Sequence, residues 1–310
     1  MKTKIWIALL ALYIVWGSTY LAIRFSVETI PPFLLAALRF LISGAILYIW
    51  RRMAGDEAPT LNNWKSTAIV GAALLLGGNG LVAWAEQTVP SGIAALMIST
   101  SPFWLVLFEA FRAGGGKPTW QSILGLLIGF GGVFLLIGPA EILGTSGRFD
   151  SFGIILLLLA PIFWSMGSIY ARGADMPKSN LLGTGMEMLT GAVALFIISI
   201  VKGELNGFSF GLVSMRSWLG LAYLITFGSL VGFVSYGFLL HNAPVSLMST
   251  YAYVNPIVAV FLGWLFANEE LNARIGIASA IIIGSVILIN SARQAKVKTE
   301  PLQTVPDGDD

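Results

Sequence analysis

The sequence predicts an all-α membrane protein of ten transmembrane helices, built as two inverted five-helix repeats. Three observations carry this. Of 310 residues, 56% are hydrophobic and only 11% charged, with a mean hydropathy of +0.81. Ten apolar segments can each cross a hydrocarbon core about 30 Å thick. Landmarks of the first half return in the second at a nearly constant offset.

A soluble domain carries about 25% charged residues. This chain has less than half of that, which excludes an ordinary soluble enzyme. Its 35 glycines are not periodic and it has no cysteine, so collagen-like and disulfide-stapled classes also fall.

The spans cover approximately 5–24, 33–50, 65–86, 91–111, 120–138, 152–172, 181–202, 217–241, 246–267 and 273–293. Turn and breaker residues separate them. Pro31-Pro32 closes the first gap, and the run from Arg51 to Pro59 fills the second. Gly114-Gly115-Gly116-Lys117-Pro118 and Met176-Pro177-Lys178-Ser179-Asn180 fill the fourth and sixth. Backbone polar groups in lipid must be satisfied internally, so the spans are helices. The runs are too long and too continuously apolar for a barrel. Lys2 and Lys4 precede the first span, as in a signal peptide. Its apolar run of about 19 residues is too long for one, and no small-x-small cleavage site follows.

Ten spans put both termini on one side. That side receives 12 of the 18 Lys and Arg, the opposite side 5, and Arg39 lies within a span. Positive residues mark the cytoplasmic face, so both termini are expected in the cytoplasm. Residues 294–310 read as a disordered cytoplasmic tail.

Pro90 and Pro102 recur as Pro244 and Pro256, both at an offset of 154. Ser43-Gly44-Ala45 faces Thr190-Gly191-Ala192 at 147, and Trp16 faces Trp164 at 148. The repeats are therefore 1–140 and 150–293. Five spans is an odd number, so the second repeat enters the membrane from the other side. Inverted repeats of this kind recur in secondary transporters, where two similar bundles rock about a midplane site.

Interrupted spans in matching positions are the best pointer to such a site. Here they are the fourth and ninth. Proline leaves the carbonyl four residues earlier without its donor, which frees Ile98 and Ala252. Ser99, Thr100 and Ser101 surround the first break, and Tyr251, Tyr253 and Asn255 the second. Such groups are tolerated at membrane depth only against protein or water. They either line a cavity or satisfy a structural kink.

Charges inside spans are costly and mark function by default. Arg39 sits roughly 9 Å below the outer boundary at 1.5 Å per residue. Glu187 enters from the opposite boundary, at a level roughly 12 Å away, so a direct pair with Arg39 is not expected. The alternative for Arg39 is snorkelling toward Glu28 or Glu86. Glu109 is expected to pair with Arg112 three residues on. His241, the one histidine, reads as a cap at a helix end. Trp16 and Trp164 lie mid-span and suggest two aromatic walls. Trp50, Trp64, Trp84, Trp120 and Trp218 are interfacial belt candidates. Gly125-x-x-x-Gly129 and Gly228-x-x-x-Gly232 permit close helix packing.

Enzyme motifs fail. Gly114-Gly115-Gly116-Lys117-Pro118-Thr119 lacks the phosphate-loop order, and no strand precedes it. One histidine and no cysteine leave no metal centre. No aspartate lies inside a span, and no basic aromatic patch suggests nucleic acid. No cofactor or metal is expected.

Trp16-Gly17-Ser18-Thr19-Tyr20, Arg39-Phe40, Gly78-Asn79-Gly80, Ala85-Glu86-Gln87, Val89-Pro90-Ser91-Gly92-Ile93-Ala94-Ala95 and Tyr251-Ala252-Tyr253-Val254-Asn255-Pro256 together resemble the ten-helix EamA branch of the drug/metabolite transporter superfamily. The resemblance covers about residues 5–293 and includes bacterial inner-membrane proteins. It implies two EamA repeats, cytoplasmic termini and export of small metabolites such as amino acids. The family often ends its fourth and ninth helices in Gly-Glu. Glu269-Glu270 fits that pattern, whereas the first half reads Gly114-Gly115-Gly116-Lys117.

The expected function is secondary active export of small amphipathic metabolites by alternating access. The alternatives are a facilitator or importer in the same fold, for instance of sugars, and a membrane-embedded enzyme. The expected cavity set is Trp16, Ser18, Tyr20, Arg39, Asn79, Ser99, Trp164, Glu187, Tyr253 and Asn255. Arg39 would attract a substrate carboxylate, and Ser99, Tyr253 and Asn255 would hydrogen-bond the substrate. Trp16 and Trp164 would bound its apolar part. Glu187 would be a proton or amine partner. The expected partners are a small-molecule substrate, the lipid bilayer and a coupling proton.

Overall fold

The described residues fold as helices joined by turns. The structure, a computed structural model, describes residues 2–111, 118–138, 150–243, 247 and 250–299, with 240, 241 and 292–299 as backbone alone. The Gly114–Lys117 loop, Arg112 and the side chain of His241 therefore lie outside the described residues. Among the described residues there is no strand.

The first repeat holds α1 (Lys2–Ser26), α2 (Pro32–Met53), α3 (Leu61–Gly71), a π-helix (Ala72–Gly80), α4 (Leu81–Ala85), α5 (Ser91–Ile98), α6 (Ser101–Phe111) and α7 (Trp120–Ile137). The second holds α8 (Ser151–Ala171), α9 (Asn180–Val201), a short 3₁₀ turn, α10 (Met215–Tyr223), a second π-helix (Leu224–Val231), α11 (Gly232–Asn242), α12 (Tyr251–Ala267) and α13 (Ala273–Thr299). Among the described residues, nine helical stretches are long and apolar enough to cross a membrane, and Tyr251–Ala267 is a shorter apolar helix. The third and eighth spans are each interrupted by a π-helix in matching places. Such widened turns free carbonyls and occur often at functional sites.

Local chemistry explains the helix starts. Thr60 and Asn63 form a reciprocal capping box on α3. Thr119, Asp150, Ser179 and Ser214 cap α7, α8, α9 and α10 with side-chain oxygens. The last helix runs to Thr299, beyond the expected start of a disordered tail at 294. Residues 293–298 contain neither glycine nor proline, so nothing in them stops it.

Two glycine contacts set the helix packing. A Cβ on Gly44 would lie 2.8 Å from the Met188 Cβ, and one on Gly185 would lie 3.0 Å from the Tyr48 backbone nitrogen. The backbones of α2 and α9 therefore touch, which is how helices associate where lipid offers no hydrophobic drive. Gly125 and Gly132 do the same for α7 against Ile289 and Ile281 of α13. Large apolar side chains such as Ile7, Ile46, Leu127 and Ile197 remain exposed on the outside of the bundle, as a lipid-facing surface requires.

Polar contacts collect at the two ends. At the end away from the N-terminus, Arg24 reaches the backbone of Glu86 and Gln87. There Thr88 bonds Asp150 and Arg216 pairs with Glu28. At the N-terminal end, Arg51 pairs with Asp56, Lys178 with Glu57, and Arg172 with Glu109 at 3.2 Å. Glu109 thus has a partner across the bundle, at the C-terminal end of α8, and the expected partner Arg112 lies outside the described residues. Among the belt candidates, Trp50, Trp120 and Trp218 are exposed. Trp84 instead packs edge-on against Phe33 and Phe152, beneath the Lys202 ammonium.

Candidate functional site

One cavity lies where the two repeats meet, between α1, α2, α8 and the third, fourth, eighth and ninth spans. It holds about 1090 Å³ of empty space, its mouth included. Trp16, Tyr20, Arg39, Asn79, Ser99, Trp164 and Asn255 line it.

The walls are aromatic. Trp16 stacks on Tyr236 at 5.5 Å and meets Phe233 and Tyr251 edge-on, each at 5.4 Å. Its indole N–H donates to the Gly228 carbonyl at 3.2 Å, inside the second π-helix. Trp164 lies over Gly78 of the first π-helix, where a Cβ would come within 3.0 Å of its ring. Each π-helix therefore seats the tryptophan of one repeat.

Arg39 is the buried cation of this site, 6% exposed. Its Nε donates to Ser229 Oγ at 3.0 Å, and its guanidinium lies 4.8 Å from the Phe40 ring. It does not snorkel to Glu28, which pairs with Arg216. No salt bridge to Arg39 occurs among the described residues. Asn255, which also lines the cavity, keeps a buried Oδ1 with no hydrogen-bond partner among the described residues. Asn79 donates to the Leu74 carbonyl at 3.3 Å within its own π-helix.

The break in the fourth span is satisfied locally. Ser99, Thr100 and Ser101 hydroxyls donate to the Leu96, Met97 and Ile98 carbonyls at 2.7, 2.6 and 2.7 Å. The carbonyl that Pro102 frees on Ile98 thus has the Ser101 hydroxyl as its donor. The kink is structural, yet it presents Ser99, Ser101 and Pro102 to the cavity.

Three expected residues lie elsewhere. Ser18 donates to the Val15 carbonyl and shares a 2.6 Å hydrogen bond with the Tyr223 hydroxyl, facing α10. Tyr253 packs against the cluster of Phe103, Val106 and Leu126. Glu187 is half-buried outside the lining, within electrostatic reach of Tyr236. Helix geometry accounts for the first two. Residues three and four apart share a face, and residues two apart do not. Trp16, Thr19 and Tyr20 line the cavity while Ser18 turns away; Tyr251 and Asn255 line it while Tyr253 does not. Thr19 was missed, although that periodicity could have found it, and Tyr251, named at the second break, stood outside the expected cavity set.

The arrangement suits binding rather than bond-making. It offers one cation, one unpaired amide oxygen and flat apolar walls. Among the described residues no cluster of three or more His, Cys, Asp or Glu could hold a metal.

Comparisons with known proteins agree with the fold. The profile of the EamA-like transporter family matches residues 3–138 and again 151–291. The uncharacterized inner membrane transporter YedA of Escherichia coli (strain K12) is 37% identical over 283 residues, 91% of this chain and 89% of that protein. A probable terminal-alkyne amino-acid exporter of Streptantibioticus cattleyicolor is 24% identical over 293 residues, 94% of each chain. One solved crystal structure superposes with a TM-score of 0.63 at 21% identity, covering 96% of this chain and 99% of that one. A profile matched twice, once per repeat, together with these spans and this central cavity, shows that the chain is a multi-pass membrane protein belonging to the EamA-like transporter family.

Proposed function

We propose that this chain exports small amphipathic metabolites, amino acids or close relatives, across the cytoplasmic membrane by alternating access. The observation that carries the reading is that Arg39 and Asn255, whose Oδ1 has no partner among the described residues, line the same aromatic cavity. A buried guanidinium asks for an anion such as a carboxylate. A buried, unpartnered carbonyl oxygen asks for a donor such as an ammonium. Trp16 and Trp164 flank the space between them and suit an apolar side chain. The exporter of Streptantibioticus cattleyicolor supports the amino-acid class. The bias of Lys and Arg toward the N-terminal side supports cytoplasmic termini.

The test is a stabilisation screen of the purified chain against amino acids, analogues and sugars, followed by counterflow in proteoliposomes. A binder raises apparent stability by mass action. We expect zwitterionic amino acids or analogues to stabilise the chain and to exchange. Stabilisation by sugars alone, with flux blind to an imposed proton gradient, would replace this reading with facilitation.

A further inference from the structure

Glu86 is not used by the central cavity. It ends the third span, at the face away from the N-terminus, and is 0% exposed. Neither carboxyl oxygen has a hydrogen-bond partner among the described residues. The nearby Arg24 guanidinium directs its Nη1 donors to the Glu86 and Gln87 backbone carbonyls. A buried charge with no donor is penalised by several kcal/mol, and binding a proton removes that charge.

Its position adds the second argument. Tyr20, on α1, lines the central cavity, and Arg24 lies one helical turn further on. Arg24 lines a second pocket with Gly92, Val260, Glu269 and Glu270. Glu86 lies within electrostatic reach of Tyr20 on one side and of Arg24 and Glu269 on the other. Two further charges flank its helix end: Asp150, bonded to Thr88, and Lys202, above the Trp84 ring. Glu86 lines neither pocket, but its neighbours reach both: Tyr20 lines the central cavity, and Arg24 and Glu269 line the second pocket.

We propose that Glu86 binds the coupling proton of this transporter, taking it from the Glu269-side pocket and passing it toward the Tyr20-lined cavity. The proposal rests on the transport reading above. A proton suits the site better than a metal ion, because hard cations need several oxygen ligands and Arg24 repels a cation. In the closed arrangement Glu86 is a neutral acid. Opening the outer face hydrates it and lets its proton exchange with the outside. Opening toward Tyr20 lets the proton leave inward while substrate is loaded for export.

The first experiment needs no substrate. Infrared difference spectra of the purified full chain in lipid nanodiscs are recorded across a pH titration. We expect a protonated-carboxyl band at neutral pH that vanishes in Glu86→Gln and shifts in frequency in Glu86→Asp. A spectrum unchanged by either substitution in folded protein overturns the proposal. The second uses whichever amino acid the stabilisation screen returns. Glu86→Gln should lose about tenfold or more of pH-gradient-driven flux and keep counterflow at equal pH within about twofold. Loss of both in a monodisperse variant makes Glu86 structural and overturns the proposal. Wild-type protein that shows no counterflow for any solute sinks the transport reading instead, and the infrared result still decides whether Glu86 holds a proton.

Discussion

Glu269 and Ser91, 178 residues apart, meet where α12 ends and α5 begins. The Glu269 carboxylate accepts from the Ser91 backbone N–H at 2.6 Å and from its hydroxyl at 2.7 Å. It also accepts from the Gly92 N–H at 2.9 Å. A carboxylate at a helix N-terminus meets both unpaired donors and the positive end of the dipole. Gly263 makes the room, since a Cβ there would collide with the carboxylate. Glu204 does the same for α2, accepting from the Phe33 and Leu34 N–H groups at 3.2 and 2.9 Å. The positive φ of 72° at Gly203 turns the chain back to place it. At one end of the molecule two carboxylates thus each join a helix of one repeat to the other repeat.

Replacing Glu269 should loosen that end. Hydrogen bonds to a charged group contribute about 1.5–3 kcal/mol, so Glu269→Ala should lose about 2 kcal/mol or more of stability. Thermal unfolding of purified protein reads this directly. An unchanged midpoint would mean the latch is not held in solution.

Gly232→Ala should disturb the cavity without touching it chemically. The new methyl would collide with the Trp16 indole nitrogen and lie 2.8 Å from its Cδ1. Overpacking of this kind costs about 1–3 kcal/mol. Tryptophan emission should shift, and stabilisation by the screened binder should weaken. Native emission and binding would show that Trp16 has space to yield.

Asn255→Ala separates stability from binding. Removing a buried acceptor that has no partner costs the free protein little and can stabilise it. We expect the unliganded midpoint to hold or rise, while the shift produced by the binder falls. Arg39→Lys should also reduce that shift, because an ammonium cannot present the planar fork of a guanidinium. A full ligand shift in both variants would remove these residues from the site.

Asp56 gives a pH signature outside the membrane. The Arg51 guanidinium hydrogen-bonds its carboxylate at 2.6 and 2.8 Å, and Ser179 adds a bond. These hold its pKa below the usual carboxylate range. A lowered folded-state pKa means that the contribution is complete above about pH 4, the unfolded value. It is lost as pH falls through the folded value. Asp56→Asn should therefore flatten the acid limb of stability against pH and leave its slope near neutrality unchanged. An identical acid limb would show that the Arg51 pair contributes nothing to folding.

The spans, their order and the inversion of the repeats were legible in the chain. Transfer of apolar residues into lipid depends on composition along a line, which a sequence states outright. Even the glycine pairs were visible, although Gly228-x-x-x-Gly232 proved to seat Arg39 and Trp16 rather than only to bring helices together. The side of each helix that faces inward was far less legible. Lipid and protein interior are both apolar, so hydropathy scarcely marks rotation about the helix axis. That is why Ser18 and Tyr253 were grouped with Trp16 and Asn255 although the helix turns them elsewhere.

By itself, then, the sequence determined a ten-span bundle of two opposed halves and the polar residues at membrane depth. Tertiary structure alone decided whom they meet. Arg39 finds Ser229, 190 residues away, Glu109 finds Arg172, and Glu269 finds Ser91. These partners come from different spans, and their meeting depends on how helices cross in three dimensions, which no local pattern encodes.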